Sequence, residues 1–225
     1  MSDGRAFDRS AAVTRSLLGW GVVAGPFYVV VGLILATTRP GFDPTRHALS
    51  LLTLGDLGWL QRVNLILTGL MAIVAAYGMV RAVRSGRGLA MGVLTIIFGA
   101  GLILSAVFAP DPAEGFPPGS APDDATLSGI LHLVFGAIGF AAVAAAAFAH
   151  AGWSRSVGAK ERANLGASLG IIVLIGFVAG AALSSGPAGV ALLWASVLGQ
   201  FAWLALASSQ IYSWSPHPDG SRRDD

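Results

Sequence analysis

The sequence contains no cysteine and little charge. Cysteine is absent from the 225 residues, which excludes disulfides, thiolate metal sites and a cysteine nucleophile. Asp, Glu, Lys and Arg together make up 12% of the chain, about half of the ~25% that is typical of soluble domains. Since 54% of the residues are hydrophobic and the mean hydropathy is +0.70, this shortage argues against both a soluble globular domain and a disordered chain.

The missing charge is concentrated in six stretches of 18 to 23 residues that contain no Asp, Glu, Lys or Arg at all. About 20 apolar helical residues, rising 1.5 Å each, cross a ~30 Å hydrocarbon core. We therefore predict an all-α polytopic integral membrane protein, a bundle of six transmembrane helices. The predicted spans are 17–36, 63–80, 89–109, 127–149, 165–184 and 188–210. They form one transmembrane domain over 17–212, and the tails 1–16 and 213–225 are expected to be disordered.

The basic residues lie mainly on one side of the predicted membrane. If the six helices alternate in direction, eleven of the fourteen Lys and Arg residues fall in the two tails and in the loops after the second and fourth spans. Because cytoplasmic loops are enriched in Lys and Arg, both termini are expected in the cytoplasm, with the protein in the plasma membrane. This asymmetry also explains the pI of about 9.5 without a nucleic-acid partner.

Small and polar residues within the spans predict how the helices pack. Glycines four residues apart allow close approach of helix backbones in a membrane, either within the bundle or between copies in a homo-oligomer. Such pairs occur at Gly21/Gly25, Gly88/Gly92, Gly166/Gly170 and Gly176/Gly180. Gln200, in the middle of the sixth span, is expected to form a hydrogen bond with another helix.

The first outer loop predicts a short interfacial helix over residues 43–55. Asp43 is a suitable N-cap, Pro44 suits the first helical position and Gly55 suits the end. At 100° per residue the predicted helix has a polar face, formed by Arg46, His47, Ser50 and Thr53, and an apolar face, formed by Ala48, Leu51 and Leu52.

Further polar residues fall at a similar depth on other predicted elements. Gln61 and Asn64 form a polar stripe at the outer end of the second span, and Ser128 and His132 lie one turn apart at the start of the fourth. We therefore predict one outward-opening cavity lined by polar residues of several elements. Its predicted lining is His47, Ser50, Asp56, Gln61, Asn64, Asp111, Ser128 and His132.

Several chemical roles are compatible with this set. His132 is expected to bond to Asn64 or Asp111 and so lock loops onto helices. Alternatively, His47, His132 and Asp111 form a zinc or iron site, or the two histidines ligate haem. A third alternative is acid–base catalysis by Asp56 or Asp111 on a lipid-like substrate. No HExxH spacing supports a metal, so no metal or cofactor is assigned. The spans contain no ionisable residue near the midplane, which argues against an ion-coupled transporter.

The same segments also resemble a known family. The motifs are Arg39–Ser50, Gly55–Asn64 with Thr68-Gly69, Phe108–Pro112, Gly115–Gly119 and Gly129–His132. They resemble the bacterial family called domain of unknown function nine-nine-eight, over roughly residues 17–210. The resemblance implies a six-helix bacterial membrane protein without an agreed activity. The family motif positions matched here are Arg46, His47, Ser50, Gln61, Asn64, Asp111 and His132.

Two departures from the family pattern matter for the site. Leu127-Ser128 stands where many relatives have Trp-His, and Leu193-Trp194 stands where many have Gln-Arg. The loss of a histidine and an arginine weakens the metal-enzyme and anion-binding interpretations.

We predict that the cavity binds a membrane lipid or another hydrophobic small molecule. Arg46 would orient a polar head group, and His47, Asn64, Asp111 and His132 would form hydrogen bonds to it. The alternatives are a membrane-embedded hydrolase or cyclase of a lipophilic metabolite, in which Asp111 or Asp56 acts with His132, and a structural partner in a membrane complex.

Overall fold

The computed structural model describes residues 7–120, 125–184 and 186–219. Six α-helices make up most of this part of the chain, with one short 3-10 helix, Leu49–Thr53. The α-helices are α1 (Arg9–Thr38), α2 (Gly58–Ala82), α3 (Gly86–Val107), α4 (Leu127–Ser156), α5 (Lys160–Ala182) and α6 (Pro187–Trp214). All six are long and apolar enough to cross a membrane. This confirms the predicted all-α, six-helix membrane bundle.

The six helices form a closed ring in chain order. Each helix packs against the next one, and α6 packs back against α1. The loop from residue 39 to 57, which includes the 3-10 helix, and the loop from 108 to 120 lie at one end of the ring. We call these two segments the cap and this end the cap end. The opposite end, at which α1 begins and α6 finishes, is the terminal end.

The described part of the tails is ordered, which corrects the expectation of disorder over 1–16 and 213–225. Helix α1 begins at Arg9 because the Asp8 side chain accepts hydrogen bonds from the first backbone N–H groups of the helix. The backbone N–H of Asp8 donates to the carbonyl of Pro218 at 2.8 Å, and the Arg15 guanidinium lies 3.8 Å from the ring centroid of Tyr212. The two tails thus pack against each other. Residues 1–6 and 220–225 lie outside the described residues.

The predicted helix over 43–55 is also corrected. Its first part is a turn in which Asp43 accepts hydrogen bonds from the backbone and hydroxyl of Thr45, and these bonds lower the pKa of Asp43. Only Leu49–Thr53 is helical, as a 3-10 helix. The predicted polar face does not form either, because His47 and Thr53 are buried.

The glycine pairs pack helix against helix, as their spacing predicts. A Cβ atom added at Gly25 would lie 2.7 Å from Cβ of Phe201 on α6. One added at Gly176 would lie 2.8 Å from the carbonyl oxygen of Leu192, also on α6. Both distances are shorter than a van der Waals contact, so these backbones approach as closely as they do only because the side chain is absent.

Candidate functional site: a cavity inside the helix ring

A cavity of about 510 Å³ lies within the cap-end half of the ring. All six helices and both cap loops contribute to its wall. Most of the lining side chains are apolar, with a few polar groups among them, and the volume falls in the ~300–1,000 Å³ range of small-molecule sites. Four of the nine sequence-predicted site residues line it: Arg46, Ser50, Asp111 and His132.

A salt bridge between the cap loops lies at the mouth of the cavity. Nη2 of Arg46 lies 3.3 Å from Oε2 of Glu114, and the two side chains are 56% and 32% exposed. An ion pair this exposed contributes at most about 1 kcal/mol. Its main effect is therefore to neutralise the charges at the mouth and to connect the first cap loop to the second.

Asp111 fixes the second cap loop to the start of α4. One carboxylate oxygen accepts the backbone N–H of Thr126 at 3.1 Å, and the other accepts the Thr126 hydroxyl. The Thr126 hydroxyl oxygen in turn accepts the N–H of Gly129 at 3.0 Å. A side chain at Gly129 would collide with the Asp111 carboxylate. Asp111 therefore acts as part of the N-terminal cap of α4 while it lines the cavity.

His132 joins α4 to the end of α3 and contributes an acceptor to the cavity wall. Its Nδ1 lies 3.0 Å from the carbonyl oxygen of Ser105 and 2.8 Å from that of Phe108. Because a carbonyl can only accept, this network assigns the hydrogen to Nδ1 and leaves Nε2 of the neutral ring as an acceptor. The predicted partners, Asn64 and Asp111, are wrong, since His132 bonds to the end of α3 instead.

Polar groups also line the deep end of the cavity, at Tyr28 and Gln200. Gln200 lies 13 residues into α6, about 20 Å along the helix at 1.5 Å per residue. It is 2% exposed, and among the described residues its Oε1 has no hydrogen-bond partner. The expected hydrogen bond of Gln200 to another helix is therefore not made by this oxygen. A buried acceptor without a partner is uncommon in a folded protein and calls for an explanation.

His47 is placed in the cap, outside the cavity wall. Its ring packs with Phe42 and Phe116 at centroid distances of 5.3 and 5.4 Å. Its Nδ1 accepts the N–H of Asp43 at 2.9 Å, so Nε2 donates to the Glu114 carbonyl at 3.1 Å. Both ring nitrogens are engaged, and the side chain holds the two cap loops together.

The other predicted residues also lie elsewhere. Gln61 and Asn64 face α1, where Gln61 donates to the Tyr28 hydroxyl at 3.4 Å and Asn64 to the Tyr28 carbonyl at 3.1 Å. Ser128 donates to the carbonyl of Ala109 at 2.9 Å, and Asp56 is exposed in the turn before α2. The polar stripe of α2 thus lies outside the cavity wall and contacts it through Tyr28, which does line the cavity.

Within the described ranges, no three His, Asp or Glu side chains come together in a way that would hold a metal ion. The alternative of a site made from His47, Asp111 and His132 fails because each of these side chains has separate partners. The haem alternative fails for the same reason, since both ring nitrogens of His47 are engaged.

Sequence reasoning missed a second buried polar cluster, toward the terminal end. Nε2 of His150 lies 3.1 Å from Oε1 of Gln210, and the Ser154 hydroxyl donates to the same oxygen at 3.1 Å. Gly166 on α5 allows this imidazole to approach, because a Cβ there would lie 3.0 Å from its Nδ1. The available signal was a histidine directly after a charge-free stretch, with a serine four residues later.

Comparison with known proteins decides the family. A family model described as "Protein of unknown function (DUF998)" matches residues 22–210, from α1 to α6. The chain belongs to this family. The match confirms the resemblance carried by the loop motifs. No curated protein matches this DUF998 chain, and no solved structure matches it. Its activity must therefore be argued from the cavity.

Proposed function

We propose that this DUF998 protein binds one lipophilic small molecule or lipid in the cavity inside its helix ring. The observation that carries the proposal is the cavity itself, which is mainly apolar and has the unpartnered side-chain oxygen of Gln200 buried at its deep end. Small-molecule sites typically combine an apolar lining with a few polar groups that orient the ligand. A ligand that donates a hydrogen bond at this point would remove the cost of the unpaired acceptor.

The polar groups favour a neutral ligand that carries hydroxyl groups. The two acceptors that we assign to the ligand, Nε2 of His132 and Oε1 of Gln200, both require an O–H or N–H donor. The charges of Arg46 and Glu114 compensate each other at the mouth, and the Asp111 carboxylate is occupied by Thr126. We therefore assign the hydrocarbon part of the ligand to the apolar wall and its hydroxyl groups to the two acceptors.

The test compares two glycine substitutions in purified protein. Gly136 lines the cavity, and a Cβ placed there meets no described atom within 4 Å apart from the backbone of its own helix. Gly136→Leu therefore adds bulk to the cavity from a position where the Cβ itself has room. Gly19 on α1 has equally open surroundings but lies away from the cavity, so Gly19→Leu is the matched control. Native mass spectrometry should detect a bound lipophile in the wild type and in Gly19→Leu, and much less in Gly136→Leu.

A second measurement covers a ligand that is lost during purification. At about 100 times its Kd, a ligand stabilises a protein by about 2.7 kcal/mol, so added long-chain alcohols or isoprenoid alcohols should raise Tm by several degrees. The rise should be absent in Gly136→Leu. If the wild type carries no lipophile and its Tm is unchanged across such a panel, the proposal is wrong.

The hydrolase or cyclase alternative stays a prediction. Asp111 and His132 do line the same cavity, but the carboxylate oxygens of Asp111 already accept hydrogen bonds from Thr126. Asp56 lies outside the cavity wall. The geometry thus favours binding over acid–base chemistry at this site.

We also propose that the terminal end faces the cytoplasm of a plasma membrane, on the support of the Lys and Arg bias. The cysteine-free chain allows a direct test with single cysteines at exposed positions. A membrane-impermeant maleimide should label Ala125→Cys in intact cells, and Ser156→Cys only after permeabilisation. Labelling of Ser156→Cys in intact cells would reverse the orientation.

A further inference from the structure

We infer that the ligand enters the cavity sideways, from the hydrocarbon of the bilayer, through a gap between the cap-end halves of α4 and α5. This inference rests on the proposed binding function and adds the route of access. The ligand would then be a molecule that is already dissolved in the membrane, and the cap would cover the aqueous side of the cavity.

Close contacts join α4 to α5 in the terminal-end half and at mid-depth. A Cβ added at Gly170 would lie 3.1 Å from Cβ of Ala147, so the helices touch there through small residues. Further toward the cap, the rings of Phe140 and Phe177 stack at a centroid distance of 4.4 Å and 16° between planes. Beyond this aromatic pair, toward the cap end, we assign no further close contact between α4 and α5.

The register of the two antiparallel helices places Gly136 opposite Ala181 one turn beyond the aromatic pair. Both residues line the cavity, and neither has a side chain large enough to close the seam. No described atom lies within 4 Å of a Cβ placed at Gly136, in contrast to the 3.1 Å approach at Gly170. At this level α4 therefore presents open space rather than a packed neighbour.

The residues beside the gap connect the cavity to the outer surface of the bundle. Leu133 lines the cavity and is nevertheless 63% exposed, and Ala181 is also exposed while it lines the wall. The neighbouring outward side chains, such as Ile138 and Val178, are apolar and exposed. This surface suits the hydrocarbon of a membrane, so the gap opens toward lipid.

The cap covers the aqueous side of the bundle around the mouth of the cavity. Phe116 is fully buried between the cap loops and packs edge-on against Phe42 at 5.2 Å. Arg39 donates to the carbonyls of Leu52 and Leu54, and the indole of Trp194 on α6 donates to the carbonyl of Pro44 at 3.2 Å. A lipophile that came from water would have to pass the Arg46–Glu114 salt bridge at the mouth, whereas the gap between α4 and α5 is bordered by apolar residues.

The test measures how fast a membrane-dissolved probe reaches the cavity. The full-length protein is placed in phosphatidylcholine nanodiscs, dodecanol carrying a diazirine is added, and flash photolysis at successive times is followed by mass spectrometry of adducts on peptides containing Gln200. Ala181→Trp places an indole in the gap. Val178→Trp, three residues away on the same helix and exposed to lipid, is the matched control.

We expect Ala181→Trp to slow labelling at least tenfold and to reach the wild-type end point, with Val178→Trp unchanged. Leu133→Trp, from the opposite side of the gap, should act in the same way and serves if Ala181→Trp does not fold. If both variants label as fast as wild type, or reduce only the end point, lateral entry is wrong and the binding proposal survives. If the wild-type cavity is never labelled while lipid-facing positions are, the binding proposal itself fails.

Discussion

Substitution of the same residue type at two buried sites should change stability in opposite directions. Gln61 and Gln200 are 0% and 2% exposed, and both lie in transmembrane helices. Leucine is close to glutamine in size and in helix propensity. Gln61→Leu and Gln200→Leu therefore differ mainly in the hydrogen bonds that each substitution removes.

The structure gives the magnitude of each change. Gln61 donates to the Tyr28 hydroxyl at 3.4 Å and accepts from Asn64 at 3.1 Å. Two hydrogen bonds of this kind in a membrane protein contribute roughly 1–2 kcal/mol together, so Gln61→Leu should destabilise by that amount. In Gln200→Leu an unpaired buried acceptor disappears, which should stabilise the ligand-free protein by about 1–3 kcal/mol.

The assay is reversible unfolding of delipidated protein in mixed micelles, titrated with SDS and followed by circular dichroism. The two variants should differ from each other by roughly 2–5 kcal/mol, which follows from the two ranges above. Gln200→Leu should also bind long-chain alcohols more weakly than wild type, although it is more stable. If Gln200→Leu is destabilised as much as Gln61→Leu, then Oε1 of Gln200 has a partner in solution and the central argument for a ligand is refuted.

Three further substitutions test the packing and the cap in the same unfolding assay. Gly69→Ala should destabilise the protein by about 1–3 kcal/mol, because the added Cβ would lie 2.5 Å from the carbonyl oxygen of Gly99. Gly136→Ala should leave the stability unchanged or raise it by up to ~1 kcal/mol, because the added Cβ has room there. Equal effects of the two would contradict the assigned packing. Asp111→Ala should lose roughly 1–2 kcal/mol, since it removes both hydrogen bonds to Thr126, and an unchanged midpoint would show that the loop is not fixed by this carboxylate.

The sequence predicts well how deep in the membrane a residue lies, but it predicts poorly which neighbouring helix its side chain faces. The sequence places Ser50, in the first outer loop, and His132, near the start of the fourth span, at a similar depth, and both line the cavity. Asn64 was placed at the same level but faces α1, where it donates to the Tyr28 carbonyl. The polar stripe of α2 fixes which residues share a face, but not which neighbouring helix that face meets. That information comes from the ring order of the helices.

The cap shows a second limit of predictions made from local sequence patterns. The segment 43–55 has a suitable first residue, a proline at the second position and a glycine at the end, yet only Leu49–Thr53 is helical. Contacts distant in sequence override the local preference, since His47 is held by Glu114, 67 residues away, and by the ring of Phe116. Neither contact can be inferred from helical periodicity, because each depends on how the second loop crosses the first.

The two halves of the bundle differ in how tightly they are packed, and this difference favours ligand binding over transport across the membrane. The cap-end half contains the cavity, whereas the terminal-end half is filled by large side chains that are fully buried, including Leu18, Met79, His150 and Trp203. Some of its buried polar side chains bond to one another, as Ser154 does to Gln210. A ligand that reached Gln200 from the gap between α4 and α5 would meet this packed half and would have to leave by the same route. The architecture therefore fits a protein that takes up and holds a lipophile from one half of the bilayer, and it does not provide a path across the membrane.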